Sequence, residues 1–246
     1  MKKKAITYTI LGLIAVLFVG LAGFVIWAND TNPVMETALN ALESDTAVTV
    51  TQTPWITFTP TGETAATGVV FYPGGKVDAR AYAPLMRGLA EAGYLTIITP
   101  MPLNLAFTNA NAIEDVIAAH PEIEQWVISG HSLGGAMAAN YAYTHPDILA
   151  GLILYGSYPA DNNSLADQNL PVLSIYGTED GGADKIAQSG NLLPPQAQLV
   201  VIEGGNHAQF GDYGLQKGDG TAVISRADQQ AQTLQVTLDF LASLQP

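Results

Sequence analysis

The 246-residue chain predicts an α/β fold, a mostly parallel sheet with helices on both faces and no large cap domain. Three observations lead there. Past Thr67, short apolar runs alternate with helical stretches, the pattern of parallel strands joined by crossover helices. The apolar run Trp126, Val127, Ile128 breaks at Gly130-His131-Ser132-Leu133-Gly134, and small residues (Gly135, Ala136, Ala138, Ala139) then open a helix. This G-x-S-x-G pattern describes a tight strand-to-helix turn that lifts a serine hydroxyl to the C-terminal edge of a sheet. Finally, the later strands end in an acidic cluster and then in a histidine, the chain order such a serine requires.

Taken in order, residues 1–28 predict an N-terminal transmembrane anchor or uncleaved signal. Lys2, Lys3 and Lys4 precede an uncharged apolar run from Ala5 to Ala28, long enough to span a hydrocarbon core. The positive-inside rule then puts the lysines in the cytoplasm. The expectation is a single-pass protein of the cell membrane, with the domain on the extracytoplasmic side; secretion after signal cleavage is the alternative. Residues 29–45 read as a polar stalk, and residues 46–246 as the folded domain. Thr46 to Thr59 predicts two antiparallel strands, and Thr67 to Tyr72 a buried strand ended by Pro73-Gly74-Gly75. Helices are predicted over Ala81 to Ala92, over Ala110 to Ala119, and from Ser132 to His145-Pro146. Strands are predicted over Tyr94 to Thr99, Gly151 to Tyr155, Val172 to Tyr176 and Leu199 to Ile202. Ser225, with Asp228 three residues on, caps a last helix through Leu241.

The formal net charge is −13, and outside Lys2–Lys4 only six basic residues stand against 22 acidic ones. Such a surface repels nucleic acid. The absence of cysteine excludes disulfides, thiolate metal sites and a cysteine nucleophile. No G-x-G-x-x-G, P-loop or metal-ligand spacing occurs, so no cofactor and no metal are expected.

A serine needs a base to take its proton, and the base needs an anion to orient it. Of the four histidines, His131 lies inside the turn, and His120 and His145 sit before prolines at helix ends. His207, in Gly204-Gly205-Asn206-His207 after a strand, is the expected base. Glu179, Asp180 and Asp184 are candidates for the acid. Asp180 is preferred because the following glycines let the backbone fold it inward. The Leu133 N–H is expected to be one donor to a developing oxyanion, with Gly75 as the second and Lys76 the next candidate. Phe210 and Tyr213 either wall a pocket or pack their loop, and Asp212 is a candidate for holding it. Leu103 and Leu105 either line a pocket or cover the sheet.

Pro73-Gly74-Gly75, Gly130-His131-Ser132-Leu133-Gly134, Gly177-Thr178-Glu179-Asp180 and Gly205-Asn206-His207 together resemble the motifs of the α/β-hydrolase superfamily. The nearest likeness is to its compact, dienelactone-hydrolase-like branch. It covers roughly Val48 to Leu244 and implies the α/β-hydrolase fold. Two departures matter. Pro73 stands where many relatives carry a histidine, and Ser132 stands where dienelactone hydrolases proper use cysteine. The residues Gly156 to Leu170 leave no room for a helical lid, so an open site for small or exposed acyl groups is expected.

The expected activity is that of a carboxylesterase-type serine hydrolase acting on a small-molecule ester through Ser132, Asp180 and His207. Amide or peptide cleavage, or acyl transfer, by the same machinery is one rival. A non-catalytic cell-surface binding module on the same fold is another. The sequence carries no signal of oligomeric state.

Overall fold

The computed structural model describes the backbone of residues 2–62 and 66–244, with side chains from residue 7 onward. The side chains of Lys2–Lys4 and the last two residues of the expected domain lie outside the described residues. Eight strands form one sheet: β1 (Val48–Thr51), β2 (Ile56–Pro60), β3 (Thr67–Tyr72), β4 (Leu95–Ile98), β5 (Gln125–His131), β6 (Gly151–Tyr155), β7 (Val172–Gly177) and β8 (Gln198–Ile202). Their spatial order is β1-β2-β4-β3-β5-β6-β7-β8. The β1–β2 and β2–β4 pairs are antiparallel, and every pairing from β4 to β8 is parallel. The two N-terminal strands thus extend one edge of a parallel sheet.

Seven α-helices are described: α1 (Lys2–Asn29), α2 (Glu36–Asn40), α3 (Ala83–Glu91), α4 (Ala112–Ala119), α5 (Leu133–Thr144), α6 (Ala183–Gln188) and α7 (Arg226–Ser243). The predicted helix over Ala81 to Ala92 divides into a 3-10 turn, Ala79–Tyr82, and α3, whose Pro84 lies in the first turn, where it costs no hydrogen bond. The short helix α6 was not anticipated. Ser225 caps α7 by accepting the Asp228 N–H.

Side chains alternate across a strand, so β3 feeds two cores. Val69 and Phe71 join Met86, Leu89, Phe240 and Leu241 beneath α3 and α7. Val70 and Tyr72 join Ile113, Val116, Ala138 and Tyr141 beneath α4 and α5. Burial on both faces explains why these strands read as continuous apolar runs.

The span Thr7–Asn29 is long and apolar enough to cross a membrane, and it also fits a signal sequence. It exposes large apolar side chains such as Leu17, Phe18 and Ile26. Past Met35 the chain expected to form a stalk lies against the domain. The Met35 N–H donates to the Asp212 carbonyl, the Thr37 hydroxyl donates to the Asp212 carboxylate, and Ala38, Ala41 and Leu42 are buried.

Candidate active site

The parallel register brings five strand ends together. Tyr72 stands beside Gly130, His131 beside Tyr155, and Gly177 beside Ile202. At the centre, Ser132 follows β5 with φ 52° and ψ −122°, a conformation costly for any residue with a Cβ. The turn is fixed on both sides, since the Ser132 N–H donates to the Tyr155 carbonyl at 3.1 Å and the Ser157 hydroxyl donates to the Ser132 carbonyl at 2.7 Å. Only glycine fits at 134, where a Cβ would lie 2.0 Å from the Tyr72 carbonyl oxygen. Gly156, at φ +51°, leaves the gap through which the Asp180 and His207 side chains meet; a Cβ there would be 3.0 Å from both.

Asp180 and His207 leave neighbouring strands, β7 and β8, and the His207 Nδ1 lies 2.8 Å from the Asp180 Oδ2. The Asp180 side chain is 2 % exposed and that of His207 12 %. The other Asp180 oxygen accepts the Gly182 N–H at 2.7 Å. With Nδ1 engaged, the His207 Nε2 is left without a hydrogen-bond partner among the described residues. Ser132, His207 and Asp180 line one cavity of about 530 Å³, walled also by Leu133, Gly156 and Tyr158. Glu179 and Asp184 lie outside this contact. Glu179 accepts from the Thr178 hydroxyl, and Asp184 is exposed on α6.

On the opposite side of Ser132, the consecutive N–H groups of residues 74–76 are spent differently. The Gly74 N–H donates to the Tyr82 hydroxyl at 3.1 Å, and the Lys76 N–H to the Asn104 carbonyl at 2.8 Å. The Lys76 N–H, the next candidate for an oxyanion donor, is thus engaged within the loop. The Gly75 N–H between them has no acceptor among the described residues, and Gly75 packs on the Leu133 side chain. Leu133, as the first residue of α5, has no intrahelical acceptor for its own N–H.

Beneath the site the Tyr82 hydroxyl also lies 2.9 Å from the His131 Nδ1. Burial, and then the positive charge of a protonated His207 nearby, hold the His131 pKa well below the usual histidine value; the His207 carbonyl opposes them weakly. Its neutral ring packs at a tilt against that of His207, with centroids 4.4 Å apart, and its buried Nε2 has no hydrogen-bond partner among the described residues. Because the Tyr82 oxygen accepts from Gly74, its proton is free for the His131 Nδ1, which assigns the ring hydrogen to Nε2.

One residue that sequence reasoning passed over organises the His207 loop. The Asp219 carboxylate accepts N–H bonds from His207 (3.1 Å), Ala208 (2.8 Å), Gly181 (3.3 Å) and Gly220 (2.9 Å), tying the acid and histidine turns together. Its signal was faint, an aspartate between two glycines in a polar loop. Gln229 of α7 clamps the same loop, accepting the Asn206 N–H and donating to the Asn206 carbonyl.

Phe210 and Tyr213 are buried against His131 rather than on the cavity wall. Leu105 is buried as well, and Leu103 lies outside the cavity lining. Asp212 holds its loop to the N-terminal segment and, through Oδ1, accepts from Gln230. His120 and His145 lie away from the cavity: His120 contacts Glu122 and packs by the Trp55 and Trp126 rings, and His145 contacts Thr144, Tyr141 and the Glu114 carboxylate. Among the described residues no group of His, Asp and Glu side chains is arranged to hold a metal ion.

A strained serine between a mostly parallel sheet and a helix, with a carboxylate–histidine pair at the adjoining strand ends, defines an α/β-hydrolase scaffold. Comparison with known proteins agrees: the Alpha/beta hydrolase family matches residues 68–231, more than half the chain, and the protein belongs to it. The match is to the family and singles out no branch. No curated protein matches the chain. Among solved structures it is similar to an α/β hydrolase from the sediment metagenome of the Mar Chica lagoon, Morocco (TM-score 0.59, 16% identity, 80% of this chain and 98% of that one). It is also similar to the carboxylesterase CesB of Bacillus subtilis (TM-score 0.58, 12% identity, 89% and 97%). A third is the naproxen esterase of Bacillus subtilis (TM-score 0.56, 14% identity, 83% and 94%). At these identities the likeness is one of fold.

Proposed function

We propose that the protein is a serine hydrolase of carboxylic esters. The His207 Nε2 takes the Ser132 proton as the Ser132 oxygen attacks the ester carbonyl. Asp180 holds the imidazole through Nδ1 and stabilises the imidazolium that forms. The N–H groups of Leu133 and Gly75 receive the oxyanion, aided by the positive end of α5. His207 returns the proton to the leaving alcohol, and a water activated by His207 then releases the acid. The observation that carries this reading is the 2.8 Å Asp180–His207 contact, with the second ring nitrogen unspent in the cavity that also contains Ser132. The esterase names of the similar structures point the same way.

Residues 156–170 carry one 3-10 turn, Asp161–Asn163, and no helical cap among the described residues, which supports small or exposed acyl groups as substrates. The apolar side chains exposed along α1 need lipid to cover them, which supports a membrane anchor with Lys2–Lys4 inside and the domain outside. Protease treatment of intact cells tests that topology, since an outward domain is digested and a cytoplasmic one protected.

The decisive experiment is labelling with a fluorophosphonate probe together with hydrolysis of p-nitrophenyl esters of graded chain length. Ser132→Ala is expected to abolish labelling and lower kcat by at least about 10³-fold. Unlabelled wild-type protein would turn the reading toward a non-catalytic module. A preference for long acyl chains would count against the open site.

A further inference from the structure

The distribution of positive charge carries information about the substrate. Six basic residues lie in the described domain: Lys76, Arg80, Arg87, Lys185, Lys217 and Arg226. The arginines are engaged: Arg80 with Asp78, Arg87 with Asp45 and Glu91, and Arg226 with Asp212 and the Ala208 and Gly211 carbonyls. Lys76 sits over the Trp27 ring, 4.7 Å from its centroid. Of these, only the Lys185 and Lys217 side chains have no ion pair, hydrogen bond or ring contact among the described residues, and both residues line the cavity of Ser132 and His207. They reach it from different elements, Lys185 from α6 and Lys217 from the loop after His207.

The carboxylates of that cavity do not neutralise them. Asp180 is taken by His207 and the Gly182 N–H, and Asp219 by four backbone N–H groups. Glu179 and Asp184, beside this turn, form no ion pair with Lys185. On a chain of net charge −13 the general surface repels anions, so two lysines with unpaired side chains lining one cavity form a local attractive site. Attack on an ester does not call for them, because the oxyanion is met by amides. They suit a second group on the substrate.

We propose that the preferred substrates carry an anionic group, a carboxylate or a phosphate, held by Lys185 and Lys217 while the ester lies at Ser132. This rests on the esterase reading of Ser132. The test compares esters matched in size, using the full chain in detergent at low salt. Monomethyl adipate is set against methyl hexanoate, placing the carboxylate on the acyl side. Acetylglycerol phosphate is set against glyceryl monoacetate, placing a phosphate on the alcohol side. At least one anionic ester is expected to exceed its neutral partner in kcat/KM by about tenfold. The ratio should shrink at about 0.5 M NaCl, where screening is strong, and approach one in the Lys185→Gln/Lys217→Gln double variant. A ratio near one for both pairs, with Ser132 labelled by fluorophosphonate and the neutral esters consumed, overturns the anion site and leaves the esterase reading standing. A preference that survives the double variant overturns the assignment to these lysines. No labelling and no turnover of any of the four esters sinks the esterase reading, and this inference with it.

Discussion

Two loops flank Ser132, and they are fastened by opposite chemistry. The loop carrying His207 is pinned by a carboxylate, Asp219, which collects four backbone N–H groups from both the histidine and the acid turns. The loop of residues 73–76 is pinned by neutral groups, the Tyr82 hydroxyl and the Asn104 carbonyl. Each fastening suits what its loop has to do. In the proposed mechanism the histidine side carries a positive charge that comes and goes, and a carboxylate anchor is compatible with it. In the same mechanism the opposite side presents an unspent N–H, and its anchors take the amides on either side of that of Gly75.

The sharpest break in this comparison lies on the histidine side. Asp180→Asn keeps the shape but removes the charge that fixes the His207 tautomer, and kcat is expected to fall by about 10³- to 10⁴-fold with KM little changed. Steady-state kinetics on a short-chain ester check this; a fall of less than about tenfold would remove Asp180 from the mechanism. Asp219→Ala comes next. It strands N–H groups that had a charged acceptor, and each such bond contributes about 1.5–3 kcal/mol when well formed. Because Asp219 is partly exposed, the expected outcome is a fall of about tenfold to a hundredfold in kcat and a loss of about 2 kcal/mol on urea unfolding. Asp219→Asn, which restores one acceptor oxygen, should recover part of both.

The two loops also differ in how much of them could be read from the sequence. Ser132 follows its apolar strand directly, and Asp180 and His207 come a few residues past the ends of theirs, all set among glycines, so local pattern and chain order marked them as candidates. Asp219 was overlooked because its partners are backbone amides, which no side-chain motif records, and because it acts from a loop twelve residues past His207. Tyr82 was hidden for a different reason: it sits in a mostly apolar run that reads as helix, and only the crossing of β3, β5 and that turn brings its hydroxyl to Gly74 and His131. Phe210 and Tyr213 could have served either a pocket or the core, and the sequence had no means of choosing. Tertiary packing against His131 decided it.

On the neutral side, Tyr82→Phe keeps the ring packed on Phe71 but leaves the Gly74 N–H and the His131 Nδ1 without a partner. An unsatisfied buried polar group costs about 1–3 kcal/mol. The loop then holds Gly75 less firmly, and kcat should fall about threefold to tenfold while KM stays near its original value, since one loosened donor costs less than its removal. A rise in KM at constant kcat would mean that Tyr82 shapes the pocket rather than the oxyanion donors.

The smallest expected effect concerns His131, whose ring touches that of His207 but must stay neutral. Burial keeps its folded-state pKa well below the ordinary histidine value. The unfolded chain takes up that proton near pH 6.5, whereas the folded chain does not. Below that pH the unfolded state binds more protons, so stability falls as pH drops through about 6.5 and is fully present above it, with a slope of at most about 1.4 kcal/mol per pH unit from this one group. Urea unfolding of the full chain in detergent, followed between about pH 5 and 7, measures that slope. His131→Gln, which keeps a polar group against Tyr82 but cannot be protonated, should flatten it even though the variant is less stable at every pH. Equal slopes in the two proteins would mean that His131 takes up a proton without unfolding the chain. A protonated ring there would push a second positive charge against His207, and the neutral support assigned to the Gly75 side of Ser132 would have to be abandoned.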